Sequence, residues 1–183
     1  RFMPDDEIFD HTVFKAEEVK NRLHETAYLN PALTICFEDR RGSEPESIIY
    51  HEPEGIVGFV KSINRNKDTV HEVIYVKGES DGITVEAAFQ YVNEFHENVM
   101  GFCNNIFNAE GGTHLTGFKT IFTTVINSYA RQLNILKEKD ANFTGPDVRN
   151  GMTAVVSIKH PDPRFEGQTK TKLDNQDAAK VVS

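Results

Sequence analysis

The segment HPDPRFEGQTKTKL, residues 160–173, carries the side chains in this sequence that are best suited to chemistry. Its two prolines lower the entropy cost of presenting the polar residues that follow, among which Lys170 and Lys172 lie within one turn of each other. A lysine ammonium is a mobile positive charge suited to the terminal phosphate of a nucleotide, and Gln168 could donate hydrogen bonds to the same oxygens. The residues alone slightly favour a simpler interpretation, an exposed basic loop that caps a strand.

Two glycine-containing motifs elsewhere have both a structural and a functional interpretation. In EGGTH, residues 110–114, the glycines free the backbone for a tight turn, and Thr113 is placed to cap the helix that follows. Helix N-termini attract anions, so a phosphate site is conceivable there, but a plain strand-to-helix turn is the favoured interpretation. In GPDVRNG, residues 145–151, Asp147 and Arg149 could pair and brace the loop, a role that is structural more often than catalytic.

The sequence contains none of the common metal-binding or phosphate-binding motifs. Its seven histidines are scattered, and neither His24 nor His96, each followed by a glutamate, has the second histidine of a zinc-binding HExxH helix. No GxxxxGK[ST] or GxGxxG loop occurs, and the lysine of GFKT, which begins at Gly117, lies in the middle of a predicted helix. We therefore predict no metal site in this chain.

The composition is that of a folded domain. Its 183 residues suffice for one large or two small domains, with 38% hydrophobic and 26% charged residues. The net charge of -8 argues against a surface that binds nucleic acid by charge alone. No apolar run is long enough to span a bilayer, so no membrane partner is expected. Cys36 and Cys103 lie in apolar, strand-like runs and are predicted to be buried, reduced thiols of a cytoplasmic protein, with a disulfide as the alternative.

Apolar spacing divides the first third of the chain into two helices and a hairpin. Val19, Leu23 and Ala27 recur every four residues in a helix that ends near Pro31. The runs LTICFED and SIIYH predict two strands joined by a polar loop, and EGIVGFVKSINR predicts a second helix. The polar, aperiodic residues 64–69 are the best candidate for a linker.

The remainder alternates strands with one long helix. A long hairpin is predicted around Asp81-Gly82, and ENVMGFCNNI and MTAVVSIKHP predict two further strands. The second strand of the hairpin is predicted to have a single buried face, formed by Val85, Ala87, Phe89 and Tyr91. The helix that begins at EGGTH is predicted to bury one stripe, formed by Leu115, Phe118, Phe122, Val125 and Tyr129. Helices and strands occur in both halves, which indicates an α+β fold class.

Several of these motifs, in this order, resemble the DNA gyrase B family of bacterial type IIA topoisomerases. The resemblance covers essentially the whole chain and runs through RFMPD, YLNP, NNI with EGGTH, and DVRNGMTAVVSIKHPDPRFEGQTKTKL. GGTH and FEGQTKTKL are together highly specific. The equivalent subunit of topoisomerase IV shares these motifs and is the close alternative, although KHPDPRFEGQTKTKL favours gyrase.

The resemblance implies two domains and a role for the loop. Residues 1–66 would be the C-terminal portion of a GHKL ATPase domain, and residues 67–183 a transducer domain with a ribosomal protein S5 domain 2-like fold, truncated at its C-terminus. In the family, a Gln-Thr-Lys loop leaves the transducer and enters the ATPase pocket. That role carries over to Lys170 as the catalytic contact with the γ-phosphate of ATP, and to Gln168 as a supporting contact. Loop movement would couple ATP binding and hydrolysis to DNA strand passage and negative supercoiling.

The same resemblance implies cofactors and partners. The intact subunit would use ATP and Mg²⁺, dimerise through its ATPase region on binding ATP, and act on DNA in an A2B2 assembly with the gyrase A subunit. This chain is expected to be an excised piece of that subunit. Since the family's general base, Mg²⁺-binding asparagine and glycine-rich lid would lie upstream, we expect the piece to bind no ligand tightly and to hydrolyse no ATP alone.

Two other functions stay open on the sequence. A stand-alone nucleic-acid-binding module is permitted by an S5-like fold, although the acidic charge and the lack of a basic, aromatic strand face speak against it. A structural or dimerisation piece would need no ligand, and the Gln-Thr-Lys loop would then be a solvated strand cap.

Overall fold

The computed structural model of this protein describes residues 2–183, which divide after Gly55 into two compact units. Each unit contains helices and strands, so the chain has a mixed α/β fold. No helix in this described range is both long and apolar enough to cross a bilayer. The predicted boundary between residues 66 and 67 refers to the two domains of the family, and it stays a prediction.

The first unit consists of a helix and a two-stranded antiparallel hairpin, as predicted. Its elements are α1 (Ala16–Leu29), β1 (Thr34–Asp39) and β2 (Glu46–His51). The ring of His24 stacks between the rings of Tyr28 and Tyr50, with centroids 4.6 and 4.7 Å away. Nε2 of His24 also lies 2.7 Å from a carboxylate oxygen of Glu52. This histidine therefore ties the helix to the hairpin.

The prediction that both cysteines are buried is right for Cys103 and wrong for Cys36. Cys103 is fully buried in the second unit, and burial raises the pKa of its thiol to about 11. Cys36 is exposed because only alternate residues of β1 are partly covered, and Cys36 lies on the other face of the strand. Both thiols are free.

The second unit is built around a five-stranded sheet. Its elements in chain order are α2 (Ile56–Ile63), β3 (Ile74–Ser80), β4 (Ile83–Tyr91), β5 (Asn98–Cys103), β6 (Ile106–Phe107), β7 (Gly111–Gly112), α3 (Thr113–Gln132), α4 (Gly145–Arg149), β8 (Met152–Lys159), β9 (Lys172–Leu173) and α5 (Gln176–Val182). The strand order is β3-β4-β8-β5-β6, in which only β5 and β8 are parallel. β7 and β9 form a separate parallel pair. The predicted hairpin is confirmed, and Asp81 and Gly82 both have positive φ, as its tight turn requires.

The central strand, β8, is buried on both faces from Met152 to Ile158. Its apolar run is therefore continuous rather than alternating. One face packs against α3 in a cluster formed by Ala87, Leu115, Phe118, Met152, Ala154 and Val156. The neighbouring strand β4 is also covered on both faces, because Ala88 and Gln90 are buried as well. The prediction of a single buried face for that strand is wrong.

The buried stripe of α3 differs from the predicted one in its second half. Leu115 and Phe118 are buried, whereas Val125 and Tyr129 are 41% and 59% exposed. The end of this helix packs instead on the connection that follows it. There the Asn127 side chain donates to the carbonyl of Phe143 at 3.0 Å and accepts from its backbone N–H at 2.8 Å. In the second half of α3, where an apolar stripe was predicted, the polar side chain of Asn127 therefore anchors the helix.

Residues 64–69, predicted to be a linker, are instead tied to the sheet. Asn64 is only 2% exposed, and its side chain donates to Oε1 of Gln90 at 3.0 Å and accepts from the hydroxyl of Thr153 at 2.8 Å. The amide of Gln90 in turn donates to the carbonyl of His71 at 2.7 Å. The side chain of Asn64 thus bonds to Gln90 of β4 and Thr153 of β8, so the linker prediction is wrong for this residue.

We predict that Asn64→Ala lowers the free energy of unfolding by about 1–3 kcal/mol, because it leaves buried polar groups of Gln90 and Thr153 without partners. The exposed neighbour Asn66 is the matched control, and Asn66→Ala should change stability by less than about 0.5 kcal/mol. Urea unfolding of both variants provides the measurement. Equal stability of the two variants would show that the buried network contributes nothing.

Candidate functional site

The candidate loop leaves the sheet at the end of β8, where His160 forms hydrogen bonds with three other residues. Its backbone N–H and carbonyl both bond to the side chain of Asn104, each at 2.8 Å. Its Nδ1 accepts from the backbone N–H of Asp162 at 3.0 Å, so the proton lies on Nε2, which donates to Asp177 at 3.1 Å. That hydrogen bond lowers the pKa of the Asp177 carboxyl. His160 therefore joins the start of the loop to helix α5, which follows it.

A buried asparagine, Asn175, joins the two ends of the loop. Oδ1 of Asn175 accepts from the backbone N–H of Arg164, and its amide donates to the carbonyl of Asp162 at 3.1 Å. The backbone N–H of Asp174 also donates to the carbonyl of Arg164 at 2.9 Å. These contacts bring the prolines before the motif against the residues after it.

Between these ends the chain runs out and back as a narrow, hairpin-like excursion. Phe165 forms an antiparallel bridge with Leu173, and the backbone N–H of Glu166 donates to the carbonyl of Lys172 at 3.0 Å. A further backbone hydrogen bond of 3.1 Å, from Lys170 to Gly167, closes the tip. Gln168, Thr169 and Lys170 are all exposed there. The structure therefore brings both predicted site residues, Gln168 and Lys170, together at one tip.

The two lysines of the motif have different surroundings. Lys172 Nζ lies 2.7 Å from the carboxylate of Glu166, a hydrogen bond that raises the pKa of this lysine. Lys170 has no carboxylate within ion-pair distance in the part of the chain that the structure describes. Its ammonium lies 5.7 Å from the centre of the Phe165 ring, and its φ of 56° places it in the left-handed region. Of these two lysines, only Lys170 therefore has an ammonium that is free to bind an anion.

The EGGTH motif forms backbone hydrogen bonds with the residues that follow the loop tip, a contact that the sequence did not predict. Gly111 and Gly112, which form β7, pair in parallel with Lys172 and Leu173. Gly112 has φ 139°, and a Cβ atom there would collide with the Leu173 backbone, lying 2.6 Å from its nitrogen. The backbone N–H of Glu110 also donates to the carbonyl of Thr171 at 2.9 Å. The glycines thus permit a close approach of two backbones.

Two side-chain predictions made on these motifs are wrong. Gly112 rather than Thr113 is the N-cap of α3, and no side chain caps the helix, because the backbone there is committed to the ladder with β9. Asp147 does not pair with Arg149 but forms a capping box with Thr144 at the start of α4. Arg149 instead donates to Glu97 at 2.9 Å.

His114, the last residue of EGGTH, is completely buried at the first turn of α3. Neither ring nitrogen has a hydrogen-bond partner among the residues that the structure describes. Burial lowers the pKa of the imidazole from 6.5 to about 4, so the ring is neutral at pH 7. The ring lies against Gly101 of β5, where any Cβ atom would collide with it. His114 is therefore a packing residue rather than a ligand.

A groove of about 700 Å³ runs along the exposed side of α3. Hydroxyl and cationic side chains line it, among them Thr116, Lys119, Thr120, Thr123, Arg131 and Arg149. Lys119 and Arg149 both bond to Glu97, at 2.6 and 2.9 Å. Although burial raises the pKa of Glu97, these hydrogen bonds hold it below its ordinary value. Three cations against one carboxylate give the groove a net positive charge.

Comparison with known proteins shows that the chain is similar to one protein family. A family model described as DNA gyrase B matches residues 55–183. The DNA gyrase B subunit of Enterococcus faecalis is 50% identical over 183 residues, which are 99% of this chain and 28% of that protein. The chain therefore spans less than a third of the length of this curated relative.

Solved structures agree with this family. The 43K ATPase domain of Thermus thermophilus gyrase B, crystallised with an aminocoumarin, matches with a TM-score of 0.81 and 33% identity, covering 98% of this chain and 48% of that one. The topoisomerase IV ATP-binding domain of Francisella tularensis matches with a TM-score of 0.78 and 27% identity, with the same coverage. The similarity extends over both units of the chain.

We predict that Gly112→Ala destabilises the loop base, since the new Cβ atom would displace the Leu173 backbone. The free energy of unfolding should fall by more than about 1 kcal/mol, and limited proteolysis should cut the loop faster. Gly167 at the tip has open space around it, so Gly167→Ala is the matched control and should leave both measurements near those of the original chain. Unchanged cleavage in Gly112→Ala would contradict the close approach of the two strands.

We predict that His114 makes stability depend on pH. Because its pKa is about 4 when folded and 6.5 when unfolded, the unfolded chain takes up a proton first as the pH falls. The contribution of the neutral His114 ring to the free energy of unfolding is complete above pH 6.5 and is lost by pH 4, a change on the order of 3 kcal/mol. His114→Leu should flatten this part of the profile in urea unfolding at a series of pH values. An identical slope in the variant would show that the ring titrates normally.

Proposed function

Because this chain belongs to the DNA gyrase B family, we propose that it is part of the ATPase subunit of a type IIA DNA topoisomerase. In this proposal its Gln-Thr-Lys loop senses the γ-phosphate of ATP. The observation that carries the proposal is the loop tip, where Lys170 is exposed without a carboxylate partner in residues 2–183. Gln168 lies two residues away on the same tip.

The proposed chemistry requires an ammonium that can leave its contact on the loop and bind a phosphate. Lys170 Nζ donates to the γ-phosphate oxygens and offsets the charge that develops on them during phosphoryl transfer, while Gln168 donates a further hydrogen bond. The contact between Lys170 and the Phe165 ring is worth only about 0.5–1 kcal/mol at an exposed site, so the ammonium can leave it readily. In this proposal Lys170 is the catalytic residue, and Gln168 makes a supporting contact.

Magnesium bound with ATP in the intact subunit would neutralise phosphate charge. Within residues 2–183 no group of three or more histidine, cysteine, aspartate or glutamate side chains is arranged to hold a metal. We therefore assign ATP and Mg²⁺ to the intact subunit, with this chain supplying only the γ-phosphate contact. Lys170 fits such a ligand, because it is exposed and no carboxylate among the described residues pairs with its ammonium.

The proposed domain assignment gives each unit a mechanical role. Residues 1–66 would complete a GHKL ATPase domain, and residues 67–183 would form an S5 domain 2-like transducer whose loop enters the ATPase pocket. Large apolar side chains in the first unit support its packing against further protein, since Phe2, Met3, Ile8, Phe9, Val13 and Phe14 are more than half exposed. Loop movement would then couple the nucleotide state to strand passage and negative supercoiling.

The proposed partners are those of a gyrase in the cytoplasm. They are DNA, the gyrase A subunit in an A2B2 assembly, and a second copy of the ATPase region on binding ATP. The groove along α3 supports DNA contact, because its lysine, arginines and hydroxyl groups are the kind that bind phosphates. The chain's net charge of -8 does not support a stand-alone nucleic-acid-binding module.

The equivalent ATPase subunit of topoisomerase IV is the alternative identity. Gyrase fits better, because the curated DNA gyrase B relatives reach 50% sequence identity to this chain, whereas the topoisomerase IV structure shares 27%. A decatenase would use the same loop, so the proposed role of Lys170 holds for either enzyme.

We predict that Lys170→Ala in the intact subunit, assayed with its partner subunit and DNA, lowers the rate of ATP hydrolysis by about 10²-fold or more, the usual effect of removing one charge-stabilising donor. Supercoiling should fall with it. Affinity for a non-hydrolysable ATP analogue should weaken while affinity for ADP is unchanged, because ADP has no γ-phosphate.

Lys172→Ala is the matched control. It removes the same charge two residues away, but that lysine is paired with Glu166, so hydrolysis should stay within about twofold of the unmodified enzyme. Equal losses from both substitutions would indicate a general effect of charge. Full activity of Lys170→Ala would refute the proposed role and leave the loop as a solvated strand cap.

A further inference from the structure

The side chain of Asn108 bonds to the loop tip from the connection that follows the last strand of the sheet. Asn108 lies between β6 and β7 and is 2% exposed, and its amide donates to the backbone carbonyl of Lys170 at 2.9 Å. Its own backbone is fixed at both groups, since its N–H donates to the carbonyl of Gly101 at 2.9 Å and its carbonyl accepts from Gly111 at 2.8 Å. A residue whose backbone is bonded to β5 and β7 therefore holds the backbone of Lys170.

Asn108 is a poor residue for packing alone. Its Oδ1 atom is buried and has no partner among the described side chains and backbone groups. A half-satisfied buried amide is less stable than an apolar side chain of similar shape. Packing therefore gives no reason for an asparagine here, and the hydrogen bond to Lys170 is the one interaction of its side chain that accounts for it.

That hydrogen bond acts on a backbone conformation that lysine does not favour. Lys170 has φ 56°, and residues with a Cβ atom adopt the left-handed region only at an energetic cost. Holding the carbonyl of Lys170 fixes the peptide plane that follows this residue. It thereby fixes the direction in which the Lys170 side chain leaves the loop. Without this contact the residue would relax towards the favoured right-handed or extended region, and its ammonium would point elsewhere.

We propose that Asn108 is a positioning residue, which holds Lys170 in its left-handed conformation so that the ammonium is aimed at the γ-phosphate before ATP binds. The proposal rests on the proposed function of Lys170. It adds a residue of the connection between β6 and β7, 62 positions earlier in the chain, to the nucleotide-sensing loop.

The test uses Asn108→Leu in the intact subunit with its partner subunit. Leucine is close in size and removes both the donor and the unpartnered acceptor, so the melting temperature should stay equal or rise. ATP hydrolysis and affinity for a non-hydrolysable ATP analogue should fall about tenfold, as expected when one hydrogen bond that orients a reacting group is lost. ADP affinity should not change. Asn108→Ala is a second variant that should show the same loss of preference for ATP over ADP if leucine does not fold.

Asn64→Leu is the matched control, because Asn64 is equally buried but bonds to Gln90 and Thr153, away from the loop. It should lower the melting temperature and leave the ratio of ATP-analogue to ADP affinity unchanged. If Asn108→Leu behaves in the same way, Asn108 is merely structural and the proposal is overturned. Unchanged hydrolysis in Asn108→Leu would overturn it as well.

A double variant separates this proposal from the function on which it rests. If Asn108 acts through Lys170, Asn108→Leu combined with Lys170→Ala should be no slower than Lys170→Ala alone. Multiplying losses would show that Asn108 acts by another route. No loss in Lys170→Ala itself would defeat the proposed function, whereas a loss there with none in Asn108→Leu would defeat only the positioning role.

Discussion

The position of the loop depends on a parallel backbone ladder only two residues long, in which Gly111 pairs with Lys172 and Gly112 with Leu173. The ladder exists because glycine has no Cβ atom, since any side chain at Gly112 would collide with the Leu173 backbone. His160 and Asn175 hold the two ends of the loop. The ladder fixes Lys172 and Leu173, which follow the loop tip. It thereby sets where Gln168 and Lys170 lie.

The ladder also connects the loop to two helices. β7 is followed at once by α3, and β9 is followed after two residues by α5. These helices touch where Gly117 faces Ala179, so closely that a Cβ atom on Gly117 would lie 2.5 Å from the Ala179 carbonyl oxygen. A displacement of the loop that carries the ladder with it would therefore also shift the start of α3 and the residues that lead into α5. The loop, α3 and α5 are thus joined through one set of backbone contacts.

Local sequence patterns predicted the long elements and missed the contacts between distant segments. The β-branched run gave β8, and Asp81-Gly82 gave the hairpin. The ladder could not be found in this way, because two-residue strands about 60 positions apart leave no periodic signal. Paired glycines before a helix were the one available sign of a close backbone approach. The errors at Asn64 and Cys36 have one cause: burial depends on what covers a face, which local pattern does not record.

The central claim, that Lys170 binds the γ-phosphate, is tested most directly by measuring how fast Lys170 and Lys172 react with an acylating reagent in the intact subunit. Mass spectrometry reports both rates in one peptide, so Lys172, already paired with Glu166, is an internal reference. The account predicts that a non-hydrolysable ATP analogue slows acylation of Lys170, that ADP does not, and that neither nucleotide affects Lys172. Acylation of Lys170 at the same rate with both nucleotides would contradict it.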